Sequence, residues 1–342
     1  MPEAPPRGIH KLSMAKYALR AWIFLHILAG EFQANAWGFF GHREINKHAV
    51  FTLPLPLLSF YKHYIHFITE HAVNPDKRRG VVPGEAQRHY IDLDCYDLSS
   101  GLSKYWHQAL AEHTLETVEQ HGILPWHLYR TKQALTRAFQ EKNLHRILQL
   151  SADLGHYIAD ANVPLHTCEN YNGQLTRQEG IHGFWESRLP ELFFENYDFL
   201  VGPAQYVEDP QAAAWRAILE AHALVDDVLK TEQAISTQVP SHQQYSFEPR
   251  GASVQKVYAA AYAQRYDALL KGQVEKQMRR SVKMVGDFWL TCWIDAGEPD
   301  VASLCTTRAS AVPSAVADLD DIDLSKTGEN CVGGVALEED PS

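Results

Sequence analysis

Imidazole and carboxylate side chains lie close together in one stretch of this chain, at spacings that suit metal binding. His156 and Asp160 are four residues apart in a segment with helical periodicity, so both side chains project from one face. Pro164 disfavours helical geometry at Val163 and predicts that the helix ends there, which would turn His166 toward the same pocket. Zinc readily uses ligands of both types.

A second pair repeats this spacing further along the chain. His182 and Glu186 are also four residues apart, in the run Ile-His-Gly-Phe-Trp-Glu. A single pair of this kind arises by chance or as a surface ion pair. Two pairs, with His166 between them, favour a metal site over scattered surface histidines.

Residues 1–36 have the pattern of a secretory signal peptide. Lys11, Lys16 and Arg20 precede a short apolar run at residues 21–29, and Ala34-Asn35-Ala36 has the small-x-small form of a cleavage site. The apolar run is shorter than the ~20 residues that a membrane span needs. We therefore expect export to the periplasm or the extracellular space after cleavage near Ala36; an uncleaved anchor and a mistaken start codon are the alternatives.

Cleavage after Ala36 would make Trp37 the new N-terminus. A free α-amine has a pKa near 8, so it can lose its proton to a metal, and the first carbonyl can complete a chelate. Gly38 and Gly41 permit close backbone approach, and His42 is near enough in sequence to join them. Trp37 and His42 are therefore further candidate ligands.

Taken together, these features resemble the zinc-dependent phospholipase C family, which is related to the zinc-dependent single-strand nucleases of fungi and plants. The resemblance implies an all-α fold, with a single compact multi-helix domain around a trinuclear zinc site. The rest of the chain resembles the family only in being helical. The matching features span residues 37–186 in the family's order and are Trp37-Gly38 followed by His42, the His-Tyr-Ile-Asp run from His89, His156 with Asp160 and His166, and His182 with Glu186.

The resemblance also implies about three zinc ions per chain, each with named ligands. Asp76 precedes His89 at a family-like distance, although Asp92 and Asp94 are local competitors for its role. Asp76 is also the candidate catalytic residue that would orient or deprotonate the attacking water. One zinc would take Asp76, His89, His156 and Asp160, a second His166, His182 and Glu186, and a third the Trp37 amine and carbonyl, His42 and a bridging Asp160.

The implied activity is that of a zinc-dependent phosphoric diester hydrolase acting through zinc-bound hydroxide. Glu186 stands where the phospholipases have glutamate and the nucleases aspartate. We therefore expect a phospholipase C that converts phospholipid to diacylglycerol and a phosphorylated headgroup. The alternatives are a single-strand nuclease or nucleotidase that releases 5′-phosphates from nucleic acid, and a non-catalytic helical binding protein stapled by zinc. No stable protein partner is implied, and we expect a monomer.

The elements that must position these residues are predicted to be helices. Alternating β patterns are scarce, and Gly272 or Gly286 is expected to kink the longest helical segment. The catalytic domain is expected at residues 37–303 and a disordered acidic tail at 304–342. The predicted helical segments are Leu58 to Ile68, Pro125 to Phe139, Leu144 to Ala161, Ala212 to Leu229 and Val254 to Trp293.

Composition narrows the possibilities further. Hydrophobic residues make up 45% of the 342 residues, enough for a full core. The net charge of −11 disfavours a protein that coats nucleic acid, and five cysteines without a CxxC pair exclude a cysteine zinc finger. Trp289 and Trp293 are expected in the core. Arg78 and Arg79 could reach a phosphate, although such a pair is usually a solvated loop.

Overall fold

The computed structural model of the protein describes residues 38–98, 103–250 and 253–306. This part of the chain is mostly helical, as the sequence predicts. The α-helices are α1 (Gly38–Ala49), α2 (Leu57–His63), α3 (Ile65–His71), α4 (Asn74–Arg78), α5 (Trp106–Glu112), α6 (Leu115–Gln120), α7 (Leu124–Gln140), α8 (Leu144–Asp160), α9 (Ile181–Gly183), α10 (Leu189–Phe193), α11 (Pro210–His222), α12 (Val225–Ser236), α13 (Ser241–Gln244), α14 (Ala260–Leu270) and α15 (Gln273–Asp295).

Shorter elements connect these helices. A π-helical turn, Phe184–Arg188, joins α9 to α10. Strands β1 (Tyr245–Arg250) and β2 (Ser253–Tyr258) form an antiparallel hairpin in which Tyr245 pairs with Tyr258. The 3₁₀ turns are Val50–Thr52, Ala86–His89, Leu93–Cys95, Pro164–Thr167, Phe194–Asn196 and Ala302–Thr306.

Local sequence signals account for the two central helices, α7 and α8. Pro125 lies in the first turn of α7, where its missing N–H costs nothing. Asn143 caps α8, and its side chain accepts a hydrogen bond of 3.2 Å from the backbone N–H of Arg146. Both helices begin and end within one residue of the predicted segments. They pack against each other and form the centre of the core.

Helix α15 packs across α1, α7 and α8 and closes the core. The Trp289 ring stacks on Tyr61 with 4.6 Å between ring centroids, and its indole N–H donates to the Ser151 carbonyl over 3.1 Å. The Tyr61 hydroxyl and the Ser151 hydroxyl lie 2.8 Å apart, which ties α2 to α8. Trp289 and Trp293 are both buried, as expected of core residues.

Three predicted helices differ from the structure. The segment Leu58 to Ile68 is broken at Tyr64, and Ala212 to Leu229 is broken between α11 and α12. The start of the segment from Val254 is wrong, because Ser253–Tyr258 pairs with β1 as a strand. Gly272 separates α14 from α15 with a φ of +76°, whereas Gly286 lies within α15.

The two ends of the chain are described only in part. Residues 1–37 and 307–342 lie outside the described residues, so the signal peptide, its cleavage and the acidic tail remain predictions. The Tyr64 hydroxyl donates to the Leu304 carbonyl over 2.7 Å, which attaches the last described turn to α2 and α3. Among the described helices, none is both long and apolar enough to cross a membrane. The described cysteines are free thiols: Cys95, Cys168, Cys292 and Cys305.

Candidate metal centre

The structure gathers eight buried imidazole and carboxylate side chains that lie far apart in sequence. Within the described residues they form three groups in which one ligand atom per residue lies within 4.8 Å of the others, so each group could hold a metal ion. We refer to the eight residues together as the imidazole–carboxylate cluster. The groups are His42 with His156 and Asp160, Asp76 with His89 and His156, and His166 with His182 and Glu186.

Asp160 belongs to the first group and also lies against two histidines of the second group. Its Oδ2 atom is 3.0 Å from Nδ1 of His89 and 3.3 Å from Nε2 of His156. Its Oδ1 atom is 3.4 Å from Nε2 of His42. The two oxygens of this carboxylate therefore face different histidines, an arrangement that suits a bridge between two ions.

Asp76 completes the second group. Its Oδ1 atom lies 3.8 Å from Nδ1 of His89 and 3.7 Å from Nε2 of His156. Its sequence competitors are not part of any of the three groups. The Asp94 carboxylate instead accepts hydrogen bonds from the backbone N–H of Glu169. The geometry therefore favours Asp76 over Asp92 and Asp94.

The third group brings three hydrogen-bond acceptors together. Nε2 of His166 and Nε2 of His182 are 3.2 Å apart, and Oε2 of Glu186 lies 3.5 Å and 3.1 Å from them. The Nδ1 atom of each ring faces a backbone carbonyl, that of His89 for His166 and that of Tyr171 for His182. A carbonyl can only accept, so both Nδ1 atoms carry a proton, and in a neutral ring the Nε2 atom then presents a lone pair to the group. Such convergence requires a shared proton or a cation.

Buried atoms without hydrogen-bond partners across the cluster also indicate a missing cation. Buried polar atoms in folded proteins nearly always have hydrogen-bond partners, so exceptions mark a missing ligand or a strained site. Among the described residues, the atoms without a hydrogen bond include both ring nitrogens of His42, both oxygens of Asp76 and Glu186, and Oδ1 of Asp160. This donor set of imidazole nitrogen and carboxylate oxygen fits a divalent transition metal.

The charges in the cluster are strongly coupled. Burial acts to raise the pKa of the Asp160 carboxyl, but the imidazoles of His156 and His166 hold that pKa well below its usual value. Burial, together with the neighbouring His156, holds the pKa of His42 well below the usual value. Burial raises the pKa of Asp76, although His156 and His89 oppose this. An ionised Asp160 thus faces a neutral His42, as a metal site requires.

Different elements carry these side chains to one place. His42 comes from α1, Asp76 from α4, and His156 and Asp160 from the last turns of α8. The helix α8 ends at Asp160, and His166 then lies in the 3₁₀ turn Pro164–Thr167. Glu186 lies in the π-helical turn after α9, a feature that is common at functional sites. In both four-residue pairs found in the sequence, the histidine and the carboxylate are in contact, His156 with Asp160 at 3.3 Å and His182 with Glu186 at 3.1 Å.

A second buried polar cluster, which the sequence analysis missed, adjoins the first. We call it the arginine network: Arg78, Glu85, Arg88, Asp153 and Tyr157. Arg78 donates to Asp153 over 3.0 Å and to Glu85 over 3.4 Å, and Arg88 donates to Glu85 over 3.0 Å. Arg78 is therefore neither solvated nor free to bind phosphate. Asp153 and Tyr157 lie on the same face of α8 as His156 and Asp160. This shared face was the sequence pattern from which the network could have been found.

The environment of Arg79 differs from that of Arg78. Within the described chain its guanidinium has no ion pair or hydrogen bond. Burial and Asp92 raise the pKa of the Tyr90 hydroxyl, Arg79 opposes this rise, and Tyr171 adds to it. The Tyr171 ring is 48% exposed and lies 6.0 Å from the His182 ring, at 83° to it. On the adjoining loops, Val81 is 78% and Leu175 64% exposed. An exposed aromatic ring therefore lies against one member of the cluster, and the loops that carry Val81 and Leu175 follow Asp76 and Tyr171 closely in sequence.

Trp37 lies outside the described residues, which begin at Gly38. Its amine and carbonyl therefore remain predicted ligands. Of the third predicted ligand set, the structure places His42 and Asp160 together.

Comparisons with known proteins give a weak likeness. No family model matches the chain, and no curated protein matches it. Among solved structures, an alpha toxin from Clostridium absonum is similar, with a TM-score of 0.42 and 9% sequence identity. The match covers 77% of this chain and 65% of the toxin chain, so this protein spans less than two thirds of that structure.

Proposed function

We propose that this protein is a zinc-dependent phosphoric diester hydrolase. The observation that carries the proposal is the convergence of Nε2 of His166, Nε2 of His182 and Oε2 of Glu186, which lie 3.1 to 3.5 Å from one another in a buried setting. Zinc takes three protein ligands of these types in catalytic sites and keeps a further position open. The residues that would hold zinc are His42, Asp76, His89, His156, Asp160, His166, His182 and Glu186, with the amine and carbonyl of Trp37.

Bound zinc would supply an acidified water and positive charge opposite the phosphoryl oxygens. The chain's own residues position the reacting groups and accept the proton of the attacking water. Asp160 holds its two oxygens toward different histidines and so fixes the spacing of the groups on either side. Asp76 is slightly exposed, whereas Asp160 and Glu186 are completely buried. Asp76 is therefore the carboxylate placed to orient water and to accept its proton at Oδ1 or Oδ2.

Phospholipid is the proposed substrate, with phospholipase C the proposed activity. Val81 and Leu175 are largely exposed on loops that follow cluster residues or their neighbours in sequence, Val81 just after the Asp76 helix and Leu175 just after Tyr171. Exposed apolar side chains next to a reaction site suit a lipid surface. Glu186, rather than aspartate, agrees with the resemblance to the phospholipases.

Single-strand nuclease or nucleotidase activity is the second candidate. The exposed Tyr171 ring beside His182 offers a face on which a nucleobase could stack. The Arg79 guanidinium, which has no ion pair in the described chain and whose charge acts on Tyr90, would suit an additional phosphate. The same groups could accept a lipid headgroup phosphate, so substrate assays must separate the candidates.

The test begins with the exported chain, its N-terminal sequence and its zinc content. We expect Trp37 as the first residue and about three zinc ions per chain. Release of phosphorylated headgroup from phosphatidylcholine and phosphatidylethanolamine vesicles is then compared with cleavage of single-stranded DNA and RNA. Activity should disappear on chelation and return with added zinc. Activity that survives stringent chelation would overturn the proposal, and bound zinc without either activity would leave the zinc-stapled binding protein.

A further inference from the structure

His89 faces the cluster with the opposite ring nitrogen from its neighbours. His156, His166 and His182 each direct Nδ1 to a backbone carbonyl and Nε2 to the cluster. His89 instead directs Nδ1 to the cluster, 3.0 Å from Oδ2 of Asp160 and 3.1 Å from Nε2 of His156. Its outer nitrogen, Nε2, lies 3.7 Å from Oε1 of Glu85. His89 thus has a carboxylate behind it where the other three have a carbonyl.

Glu85 is held firmly in that place. Its side chain is completely buried, and Arg78 and Arg88 lie 3.4 Å and 3.0 Å from its Oε2 atom. The Tyr157 hydroxyl donates to its Oε1 atom, the same atom that faces His89. Two guanidinium groups keep this carboxylate charged and fix its direction. Within the described chain, Nε2 of His89 has no hydrogen-bond partner, and the Glu85 carboxylate is the acceptor that faces it.

We propose that Glu85 is a positioning residue that holds the His89 proton on Nε2 and leaves the Nδ1 lone pair for metal. This inference rests on the proposed zinc site. In the other neutral tautomer, an Nε2 lone pair would face the Glu85 carboxylate in a buried setting, and Nδ1 could not bind an ion. A carboxylate behind a metal-binding histidine both fixes the tautomer and strengthens the ligand. At 3.7 Å the pair exceeds hydrogen-bond length, so Glu85 acts here mainly through its charge.

Glu85→Gln tests the role of that charge while keeping the size of the side chain. We expect it to weaken the binding of one zinc ion by about 10–100-fold. Asp153→Asn is the matched control, because Asp153 binds Arg78 from the other side at 3.0 Å and 3.3 Å and makes no contact with His89 in the described structure. It disturbs the same arginine network, and zinc affinity should stay at the wild-type value.

The experiment measures zinc affinity of the full chain and both variants by chelator competition. Nitrogen NMR of ¹⁵N-histidine in the zinc-loaded wild-type protein independently reads the His89 tautomer, even if Glu85→Gln fails to fold. The signal of His89 is assigned as the one that His89→Gln removes. We expect that signal to show the proton on Nε2. A proton on Nδ1, or undiminished affinity in Glu85→Gln, would overturn the role of Glu85 alone. A wild-type chain that binds no zinc would overturn the proposed function and this inference together.

Discussion

The imidazole–carboxylate cluster and the arginine network are two buried polar regions side by side on α8, and only one of them is complete. In the arginine network, the carboxylates of Glu85 and Asp153 meet the guanidinium groups of Arg78 and Arg88. In the cluster, the acceptors of His166, His182 and Glu186 face one another. Burial of charge is common to both regions, so unmet acceptors, rather than burial, indicate where a cation belongs.

The two regions also differ in what their loss should do. In a paired buried network, removing one member leaves a buried charge uncompensated, which destabilises the folded state. A cluster of metal ligands is stabilised further when a cation binds, because the ion meets lone pairs that otherwise have no partner. Substitutions in the network should therefore reduce stability first, and substitutions in the cluster should reduce metal binding and activity first.

Asp160→Asn should have the largest effect on activity. It removes the charge that faces His42, His89 and His156, and we expect hydrolysis to fall by about 10³-fold, with loss of bound zinc. Asp153→Asn is the same substitution two turns earlier on α8 and should retain activity and zinc. The measurements are initial rates and zinc content per chain. Equal losses in both variants would show that the two regions do not differ as proposed.

Arg78→Met should have the largest effect on stability. It removes the partner that the buried carboxylates of Glu85 and Asp153 share, and breaking such a pair costs about 3–5 kcal/mol of unfolding free energy. The control is Arg43→Met, whose partner Glu70 lies 3.0 Å away at a partly exposed position. That substitution should cost less than about 1 kcal/mol. Urea denaturation measures both, and similar values would contradict the distinction.

The sequence predicts the cluster better than it predicts the arginine network. His156 with Asp160, and His182 with Glu186, are local pairs whose proximity follows from helical spacing. Asp153 and Tyr157 have the same four-residue spacing on α8, but nothing local shows that their partner is Arg78. Glu85 meets His89 through a short 3₁₀ turn, which has no periodic pattern. Such contacts depend on tertiary packing.

The fold follows the same division between local and distant causes. The helices α7 and α8 are predicted almost to the residue, because a helix-favouring first turn or cap and an apolar stripe occur in the segment itself. The predicted helix from Val254 is wrong at its start, because Ser253–Tyr258 is a strand whose partner Tyr245–Arg250 provides the hydrogen bonds. Strand formation here depends on a neighbour, which a local pattern does not reveal. The ligand roles of the cluster residues stay predictions until metal is measured.

Zinc addition should distinguish the imidazole–carboxylate cluster from the arginine network without any substitution. If the cluster binds zinc only when folded, a free concentration 100 times the dissociation constant stabilises the protein by about 2.7 kcal/mol per site. Thermal unfolding with and without zinc measures the shift. His182→Ala should remove the contribution of the third group while leaving that of the Asp160 groups. Magnesium serves as the control cation, because it prefers an all-oxygen shell and should give a much smaller shift.

Gly155→Ala tests how the cluster is held together and should have the smallest effect. A Cβ atom at Gly155 would lie 2.0 Å from Oδ1 of Asn46, on the α1 face that also carries His42 one turn earlier. A Cβ atom at Gly286 would meet Thr52 at 1.9 Å, just beyond the end of α1. Overpacking of either kind should cost about 1–3 kcal/mol of stability.

Only Gly155→Ala should also weaken zinc binding, because the Asn46 amide ties α1 to the Ala152 carbonyl of α8 over 3.1 Å. Displacing that contact moves His42 away from Asp160, whereas Gly286→Ala presses on the chain after α1 and leaves the contact intact. Chelator competition on both variants measures the difference. If the two variants bind zinc equally well, the close approach of α1 to α8 at Gly155 is a packing feature and does not set the position of His42.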